Sequence, residues 1–474
     1  MNDSNFIDKK NIVQHTSYDP NGYIFSWNNR IYRAIYPNNQ KKIICLWDSG
    51  LILDLIKLNL FPETRITNYK TSDSDLIFEH QKIDVITYPY EWSFSMLKDA
   101  ALAVLRVNKI ARKYGYQTLD AHGYNIAFFN ARALFIDMGS FVEINTDFNC
   151  KHEGWRSYGE FMRTFFAPLK MWSKGDEYIA RHSLYGEQIP MMSYWRYKSK
   201  IARFLPKKYL SQFEFVWYKY KALNTVSVVE FLRLASVSNK REKIGRRLVT
   251  FSKRWGLPLS SVDLDRLEHK ISHIKPPNIP SAWADYHKDI QIDNRQNYII
   301  NVIKEYKPTT VLDMAGNAGF FSKVISALEG VQYVVCADYD TNAIDQLYES
   351  LKCSNQSVYP VVMNFSISVA DSKFPSEYER FKSDMVLALA LTHHLLLTQK
   401  LTIDFIMNRL TKLSKKYVAV EFMPLGLYSS RFDKIPDIPE WYTVDWFRAG
   451  FLKYFTLLEE KEIDTNRIIF IGKK

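Results

Sequence analysis

Short apolar runs alternate with amphipathic stretches along the C-terminal part of the chain. The apolar runs predict five strands: TTVLDM, VQYVVCADYD, SVYPVVMNF, SDMVLALAL and KYVAVEFM. The stretches between them repeat apolar residues at helical spacing, and the last residues, YFTLLEEKEIDTNRIIFIGK, predict a two-strand hairpin. Strands that alternate with helices are typical of a parallel sheet covered by helices on both faces. We therefore expect an α/β fold in this part.

A segment rich in proline and polar residues, HIKPPNIPSAW (residues 273–283), separates this pattern from the preceding sequence. Such segments are typical of linkers between domains. The length of 474 residues also favours more than one domain. We predict three parts: a first part at residues 1–150, a mostly helical basic part at 151–272, and the α/β domain at 273–474.

The positive charge of the chain is concentrated in one segment. Residues 195–254 contain sixteen Lys and Arg but three Asp and Glu, a surplus of 13 in a chain whose net charge is +12. Apolar residues at helical spacing (Ile244, Leu248, Phe251) predict helices with one basic face. A solvated helix face, an anionic membrane surface and a phosphate-bearing substrate all fit this pattern. Nucleic acid also fits the charge, but no motif favours it and we do not expect it as a partner.

Four scattered cysteines, Cys45, Cys150, Cys336 and Cys353, lack the spacing of a zinc site or a disulfide framework. They favour a reducing compartment. The first residues, MNDSNFIDKK, contain no apolar signal core, and the longest apolar run, LILDLIKLNLF, is too short and too charged to span a bilayer. We expect a cytoplasmic protein, which the basic segment could hold at the inner face of the membrane.

The first predicted strand of the α/β domain ends in a turn of small residues, DMAGNAG, before a helix begins. The turn contains five candidate cofactor-binding residues: Asp313, Ala315, Gly316, Asn317 and Gly319. A nicotinamide or flavin cofactor would favour the pattern GxGxxG, with a helix N-terminus facing its pyrophosphate. The carboxylate of Asp313 would repel a pyrophosphate and attract the ammonium group of S-adenosylmethionine (SAM). The turn therefore favours SAM as the cofactor.

Two further strand ends complete the candidate cofactor site. Asp338 ends the second strand, where a carboxylate accepts the hydroxyls of a ribose. Asn364 ends the third, where an amide matches the N1 and N6 edge of adenine. Their neighbours Tyr339 and Phe365 belong to the same candidate site. Ordinary capping of strand ends is the alternative explanation for Asp313 and Asp338.

This ordered set of motifs resembles the class I SAM-dependent methyltransferases. VLDMAGNAG is similar to their first motif, VVCADYD to their second and LALALTHHLLL to their fourth-strand segment, although Ala315 stands where the family often has glycine. The resemblance implies a Rossmann-like sheet of seven strands. More narrowly, PYEWSFSMLKDAAL, WADYHKDI and AVEFMPLG resemble the nodulation-type, NoeA-like methyltransferases, whose substrates are poorly defined.

Three residues are candidates for catalysis of methyl transfer. His393 and His394 follow the fourth strand, and one of them could take a proton from a sugar hydroxyl near neutral pH. Glu421 ends the fifth strand and could orient the acceptor or the base. The alternatives are a helix cap or pocket wall for the histidines and a strand-end charge for Glu421. Cys336 and Cys353 are badly placed as nucleophiles, so we expect O-methylation.

The first part of the chain resembles the kinase fold at one segment, TLDAHGYNIAFFNARALFIDMGSF. Asp120 and Asn125 have the spacing of a kinase catalytic loop, and Asp137-Met-Gly follows a short predicted hairpin, where kinases have Asp-Phe-Gly. The resemblance implies that Asp120 accepts a substrate proton and that Asn125 and Asp137 hold Mg²⁺ against ATP. Arg33 stands where a phosphate-binding lysine belongs, but no Gly-rich loop is present. We expect a kinase-like fold with weak or absent ATP turnover, to which residues 151–272 could add the rest of the C-lobe.

These observations predict a methyltransferase that acts on a hydroxyl of a glycan or a lipid-linked saccharide. One alternative is a bifunctional enzyme, in which a kinase phosphorylates a glycan end and the methyltransferase caps it. Another is a methyltransferase whose first half is a non-catalytic scaffold for a membrane or an assembly.

Overall fold

The computed structural model describes residues 5–15, 19–144, 155–186, 189, 191–198, 204, 262–278, 293–369, 374–428 and 437–474. The chain forms two compact units. The N-terminal unit comprises Met1–Asp84, Tyr88–Tyr90 and Met96–Ile279, and the C-terminal unit comprises Val85–Thr87, Glu91–Ser95 and Pro280–Lys474. The N-terminal unit thus includes both of the first two predicted parts. No local pattern predicts that a few residues near position 90 belong to the C-terminal unit.

The N-terminal unit begins with an antiparallel sheet of five strands. In chain order these are β1 (Val13–Gln14), β2 (Gly22–Trp27), β3 (Arg30–Ile35), β4 (Thr64–Ile66) and β5 (Leu76–His80), and they lie side by side in the order β1-β2-β3-β5-β4. Two helices, α1 (Pro37–Asp48) and α2 (Leu51–Lys57), connect β3 to β4. Alternate residues of β2 and β3 bury an aromatic cluster, because successive side chains of a strand point to opposite faces.

The long helix α3 (Phe94–Lys113) precedes two small antiparallel pairs of strands. Strand β6 (Tyr116–Thr118) pairs with β9 (Phe141–Glu143), and β7 (Ile126–Phe129) pairs with β8 (Arg132–Phe135) in the predicted short hairpin. The described residues that follow are mostly helical: α4 (Tyr158–Phe161), a π-helical turn (Met162–Phe166), α5 (Ala167–Trp172), α6 (Glu177–Ser183), α7 (Met191–Lys198) and α8 (Leu264–Ser272).

The C-terminal unit contains a seven-stranded sheet, and the α/β class predicted for it is confirmed. The strands are β10 (Thr310–Met314), β11 (Tyr333–Asp338), β12 (Val358–Val362), β13 (Ser383–Ala388), β14 (Ser414–Phe422), β15 (Thr456–Asp464) and β16 (Arg467–Lys473). They lie in the order β12-β11-β10-β13-β14-β16-β15, and the first five along this order are parallel. Strand β16 inserts antiparallel between β14 and β15.

Helices connect these strands: α9 (Asn294–Tyr306), α10 (Phe320–Ser326), α11 (Thr341–Leu351), α12 (Glu377–Arg380), α13 (Ile403–Leu413) and α14 (Val444–Leu452). Strands β10, β12 and β13 are buried along their whole length, which explains their continuous apolar runs. The side chain of Asp340 caps α11, and β14 begins at Ser414, directly after α13.

Among the described residues, no helix is long and apolar enough to cross a membrane. The basic segment at 195–254 lies almost entirely outside the described residues, and so does the motif WADYHKDI at 283–290. The prediction of basic helical faces is therefore untested by the structure.

Candidate functional site

The candidate cofactor residues lie at one edge of the seven-stranded sheet. Strand β10 has β11 on one side and β13 on the other, so the chain moves outward from β10 in both directions. In open α/β sheets, ligands bind beyond the carboxyl ends of the strands at such a switch point. Asp313 is the last residue but one of β10, Asp338 ends β11, and Asn364 follows β12. Their positions along the strands bring them to this same edge.

The small-residue turn has the left-handed backbone that such a tight connection requires. Ala315 has φ +60° and Asn317 has φ +53°, and Gly319 has φ +69° at the start of α10. A Cβ at Gly316 would lie 2.6 Å from Sγ of Cys336, which is closer than side-chain atoms approach. Gly316 is therefore required by packing within the protein itself, whether or not a cofactor is bound.

Asp313 is buried, and its carboxylate accepts a hydrogen bond from the hydroxyl of Ser322 at 2.6 Å. Its pKa is raised to about 6, mainly by burial; the Ser322 hydroxyl and Arg295 oppose this rise, and the neighbouring Asp338 adds to it. A buried carboxylate with a raised pKa gains stability from a cation nearby. An ammonium group on a ligand would supply that cation, so Asp313 fits the predicted contact.

Two backbone N–H groups hold the carboxylate of Asp338 next to the small-residue turn after β10. It accepts hydrogen bonds from the Asn317 N–H at 2.9 Å and from the Asp340 N–H at 2.8 Å. Burial raises its pKa, and these hydrogen bonds oppose that shift. An ionised carboxylate has about four lone-pair positions. Asp338 therefore keeps acceptor capacity for two hydroxyl groups in a fixed orientation.

The remaining three predicted cofactor residues differ in exposure. Tyr339 is 68% exposed beside Asp338, and its ring is available to a ligand. The amide oxygen of Asn364 accepts from the Ser366 N–H at 2.8 Å, which fixes the side chain in a local turn and leaves its NH₂ group as a donor. Phe365 is 5% exposed and lies in the apolar core, 5.4 Å from the Arg409 guanidinium. Phe365 thus packs in the core of the unit.

The two histidines lie side by side after β13. Their ring centroids are 4.2 Å apart, and a π-helical turn (His394–Thr398) begins at the second of them. Burial lowers the pKa of both, that of His393 to about 3 with contributions from His394 and Arg467. Both rings are therefore neutral near pH 7. Nδ1 of His393 is buried and has no hydrogen-bond partner among the described residues.

Glu421 is fully buried in β14, and its carboxylate bonds to three groups of the protein. It accepts from Arg467 at 2.7 Å, lies 3.5 Å from Arg295, and accepts from the backbone N–H of Ala390. Ala390 has φ +50°, so the carboxylate fixes a strained residue three positions before His393. This geometry does not support the predicted contact of Glu421 with an acceptor. It makes Glu421 a positioning residue for the loop that contains the histidines.

Arg295 and Arg467 were not predicted as partners of Glu421. Arg295 lies in the first turn of α9, and Arg467 is the first residue of β16. Both are distant from Glu421 in the chain. No spacing motif connects them. A buried glutamate at a strand end was the only available signal, because such a charge requires a partner.

In the N-terminal unit, the structure brings three of the four kinase-like residues into electrostatic contact. Arg33 is buried on β3, and its Nη1 lies 3.5 Å from the carboxylate of Asp137. Burial raises the pKa of Asp137, Arg33 lowers it, and Asp19 and Asp120 raise it. The side-chain NH₂ of Asn125 is buried and has no hydrogen-bond partner among the described residues. Asp19, which also pairs with Arg33, was not predicted.

The segment around Asp120 is fixed from both sides. Asn108 of α3 donates to the hydroxyl of Thr118 at 3.0 Å and accepts from the Thr118 N–H. Glu160 accepts from the N–H of Ala121 at 2.6 Å. These bonds hold the loop that contains Asp120 against two helices. Among the described residues, no group of three or more His, Cys, Asp or Glu side chains is arranged to hold a metal ion.

Comparisons with known proteins agree with the resemblance found in the sequence. No protein-family model matches the chain. The chain is 25% identical over 433 residues to nodulation protein NoeA of Rhizobium meliloti (strain 1021), which covers 86% of this chain and 83% of that protein. This similarity confirms the predicted resemblance to the nodulation-type proteins.

Solved structures that are similar to part of the chain include two methyltransferases. The N-methyltransferase NodS from Bradyrhizobium japonicum WM9, in complex with S-adenosylhomocysteine (SAH), is 9% identical with a TM-score of 0.30, covering 41% of this chain and 93% of that one. A SAM-dependent methyltransferase from Clostridium acetobutylicum ATCC 824 is 11% identical with a TM-score of 0.31, covering 44% of this chain and 98% of that one.

Proposed function

We propose that the C-terminal unit is a class I SAM-dependent methyltransferase. The observation that supports this most strongly is the convergence of the left-handed turn, Asp313 and Asp338 at the switch point of a seven-stranded sheet. Asp313 would face the ammonium group of the cofactor and Asp338 the ribose hydroxyls, with Tyr339 beside the adenosine. When bound, SAM supplies an electrophilic methyl group on its sulfonium sulfur.

The proposed acceptor is a hydroxyl group of a glycan or a lipid-linked saccharide. Methylation would transfer the methyl carbon from sulfur to the hydroxyl oxygen with SAH as the leaving group, and the hydroxyl proton would pass to a neutral imidazole of His393 or His394. The lowered pKa keeps both rings neutral at physiological pH, and a pKa of about 3 makes His393 a weaker base than His394. Glu421 acts in this scheme by holding the loop before the histidines.

The test is incubation of the full chain with SAM carrying a labelled methyl group and with a panel of saccharides and lipid-linked saccharides. We expect label in an alkali-stable methyl ether. Of the variants His393→Ala and His394→Ala, the one that removes the base should lower the rate of methyl transfer roughly 100-fold or more relative to the unaltered chain. His269→Ala, a histidine on α8 of the N-terminal unit, is the matched control. Label in an alkali-labile ester or on an amine would contradict methylation of a hydroxyl group.

A second candidate function concerns the N-terminal unit, and the proximity of Arg33 on the third strand to Asp137 favours it. In this proposal the unit has a kinase-like fold, and the enzyme is either bifunctional, with ATP and Mg²⁺, or retains the fold as a scaffold. ATP consumption that depends on the glycan would support the bifunctional form. Methylation of a soluble acceptor that survives deletion of the N-terminal unit, together with lost localisation, would support the scaffold.

The proposed location is the cytoplasm, at the inner face of the membrane. The charge surplus of residues 195–254 supports binding to anionic lipid. Reversing four of its Lys or Arg residues should weaken binding to acidic liposomes, and salt should weaken it further because it screens charge. Equal binding of the unaltered chain to neutral and acidic liposomes would refute this part of the proposal.

A further inference from the structure

A buried charge cluster in the N-terminal unit joins the loop before β2 to the turn after β8. Arg33 and Asp19 form an ion pair in which both side chains are almost fully buried, 4% and 7% exposed. Arg33 also donates to the backbone oxygen of Ile136 at 3.5 Å and lies 3.5 Å from Asp137. One guanidinium therefore stands between two carboxylates.

The carboxylate of Asp19 is held in this position by further hydrogen bonds. It accepts from both the backbone N–H and the side-chain NH₂ of Asn21, each at 2.8 Å. The same NH₂ group donates to the oxygen of Gly139 at 3.3 Å, and Lys42 of α1 donates to the Asn21 amide oxygen at 3.3 Å. A Cβ at Gly139 would lie 2.6 Å from the Asp19 carboxylate. The carboxylate thus lies directly against the Asp137-Met138-Gly139 turn.

This place is where a kinase-like site would hold phosphate. In kinases, the cation on the third strand and the metal-binding aspartate of the Asp-Phe-Gly turn flank the phosphates of ATP, and the loop between the first two strands covers them. Here Asp19, in the loop before β2, contributes a carboxylate that pairs with Arg33, the cation on the third strand. With Asp19 and Asp137 both present, the charges around Arg33 repel a triphosphate, so ATP does not fit this arrangement.

Two buried donors show that the cluster has unused capacity for an anion. Nε of Arg33 and the side-chain NH₂ of Asn125 have no hydrogen-bond partner among the described residues. Arginine binds phosphate through two parallel donors. Removal of the Asp19 carboxylate would leave Arg33 with donors available and with Asp137 as its remaining nearby carboxylate.

We propose that Asp19 occupies the phosphate position on Arg33 and thereby closes the N-terminal unit to polyphosphate ligands. The closed state is a property of the ion pair and its hydrogen bonds to Asn21. Withdrawal of Asp19 opens an anion site for a triphosphate group. The choice of a nucleoside triphosphate as the full ligand rests on the kinase-like candidate function, whereas the anion site itself rests on the cluster alone.

The experiment compares the full unaltered chain with Asp19→Ala in calorimetric titrations with Mg-ATP and with inorganic tripolyphosphate. We expect binding at least about tenfold tighter in Asp19→Ala, which corresponds to about 1.4 kcal/mol. The gain should disappear in Asp19→Ala/Arg33→Ala. Asp73→Ala is the matched control, because Asp73 is a paired acid of the same unit that does not contact Arg33.

The outcomes separate the two ideas. Tripolyphosphate binding without ATP binding in Asp19→Ala supports the anion site and refutes the kinase-like nucleotide site. Equal polyphosphate affinity of the unaltered chain and Asp19→Ala overturns the proposal, and so does a folded Asp19→Ala that binds neither probe. The unfolding transition that SAH does not shift monitors folding of the N-terminal unit. If Asp19→Ala does not fold, Asp19→Asn keeps the shape of the side chain without its charge, and absence of any gain there also overturns the proposal.

Discussion

Replacing Glu421 by alanine should destabilise the C-terminal unit strongly, because two guanidinium groups and one backbone N–H then lose their shared acceptor. The carboxylate accepts from Arg467 at 2.7 Å and lies 3.5 Å from Arg295. Removing one partner of a buried ion pair costs about 3–5 kcal/mol. The arginine side chains remain 15% and 25% exposed, so water can solvate them in part. We therefore expect a loss at the lower end, about 3 kcal/mol.

The assay is thermal or urea unfolding of the full chain, with and without SAH. A chain of two units does not unfold in a single two-state step, so one transition cannot be assumed. The transition that SAH shifts reports the C-terminal unit, since a ligand stabilises only the unit that binds it. Glu462→Ala, an exposed glutamate of β15, makes the same chemical change without a buried partner and should shift that transition by less than about 0.5 kcal/mol.

Glu421→Gln separates positioning from catalysis. Glutamine keeps the size of the side chain and can still accept from the Ala390 N–H, so the loop before the histidines should stay in place. We expect Glu421→Gln to recover part of the stability and of the methyl-transfer rate. A Glu421→Ala variant with unchanged stability would refute the inferred ion-pair energy. A stable Glu421→Gln variant without any activity would refute the positioning role and restore Glu421 as a catalytic candidate.

Three further changes test the cofactor turn and the core. The pKa of Asp313 is raised from 3.8 to about 6 in the folded unit, so the unliganded unit loses stability as pH rises through that value. Because the ammonium group of a bound ligand must displace the proton, SAH affinity should rise roughly tenfold from pH 5 to pH 7. Asp313→Asn should abolish this rise in calorimetric titrations. Ala315→Gly should raise the SAH-sensitive unfolding midpoint by an amount equivalent to about 1 kcal/mol, because φ +60° is strained for alanine, and an unchanged or lower midpoint would contradict this. Arg380→Lys should lower the free energy of unfolding by about 1.5–3 kcal/mol, because lysine keeps the charge but cannot reproduce the two hydrogen bonds that Arg380 donates to the carboxylate oxygens of the buried Glu91. Arg448→Lys at an exposed pair should cost under about 1 kcal/mol, and equal losses would refute the distinction.

The strands and the cofactor edge of the C-terminal unit were predictable from local sequence. Parallel central strands are buried on both faces, so each leaves a continuous apolar run, and the turn after β10 leaves small residues in a fixed order. The place of Asp338 at a strand end could be predicted because it directly follows an apolar run. The burial of Phe365 could not be predicted, because a residue after a strand can point to the core or to the ligand edge, and local pattern does not distinguish them.

The charge clusters were not predictable, because their members come from distant parts of the chain. Glu421 meets Arg295 and Arg467 only once α9 and β16 have packed against β14. Asp19 was overlooked because a lone acid before a strand has no motif, although its burial beside Arg33 changes what that residue can bind. Pairing energy in a folded interior depends on three-dimensional proximity, which spacing along the sequence does not encode beyond a helix turn or a hairpin.

The most direct test of the central claim is calorimetric titration of the full chain and of Asp338→Ala with SAH. We predict that the unaltered chain binds SAH and that Asp338→Ala binds it at least about tenfold more weakly, since a hydrogen bond to a charged group contributes about 1.5–3 kcal/mol. Asp445→Ala, an exposed acid of α14 in the same unit, should bind as the unaltered chain does. Absence of SAH binding by the unaltered chain, or equal affinity of Asp338→Ala, would contradict the assignment of the cofactor site.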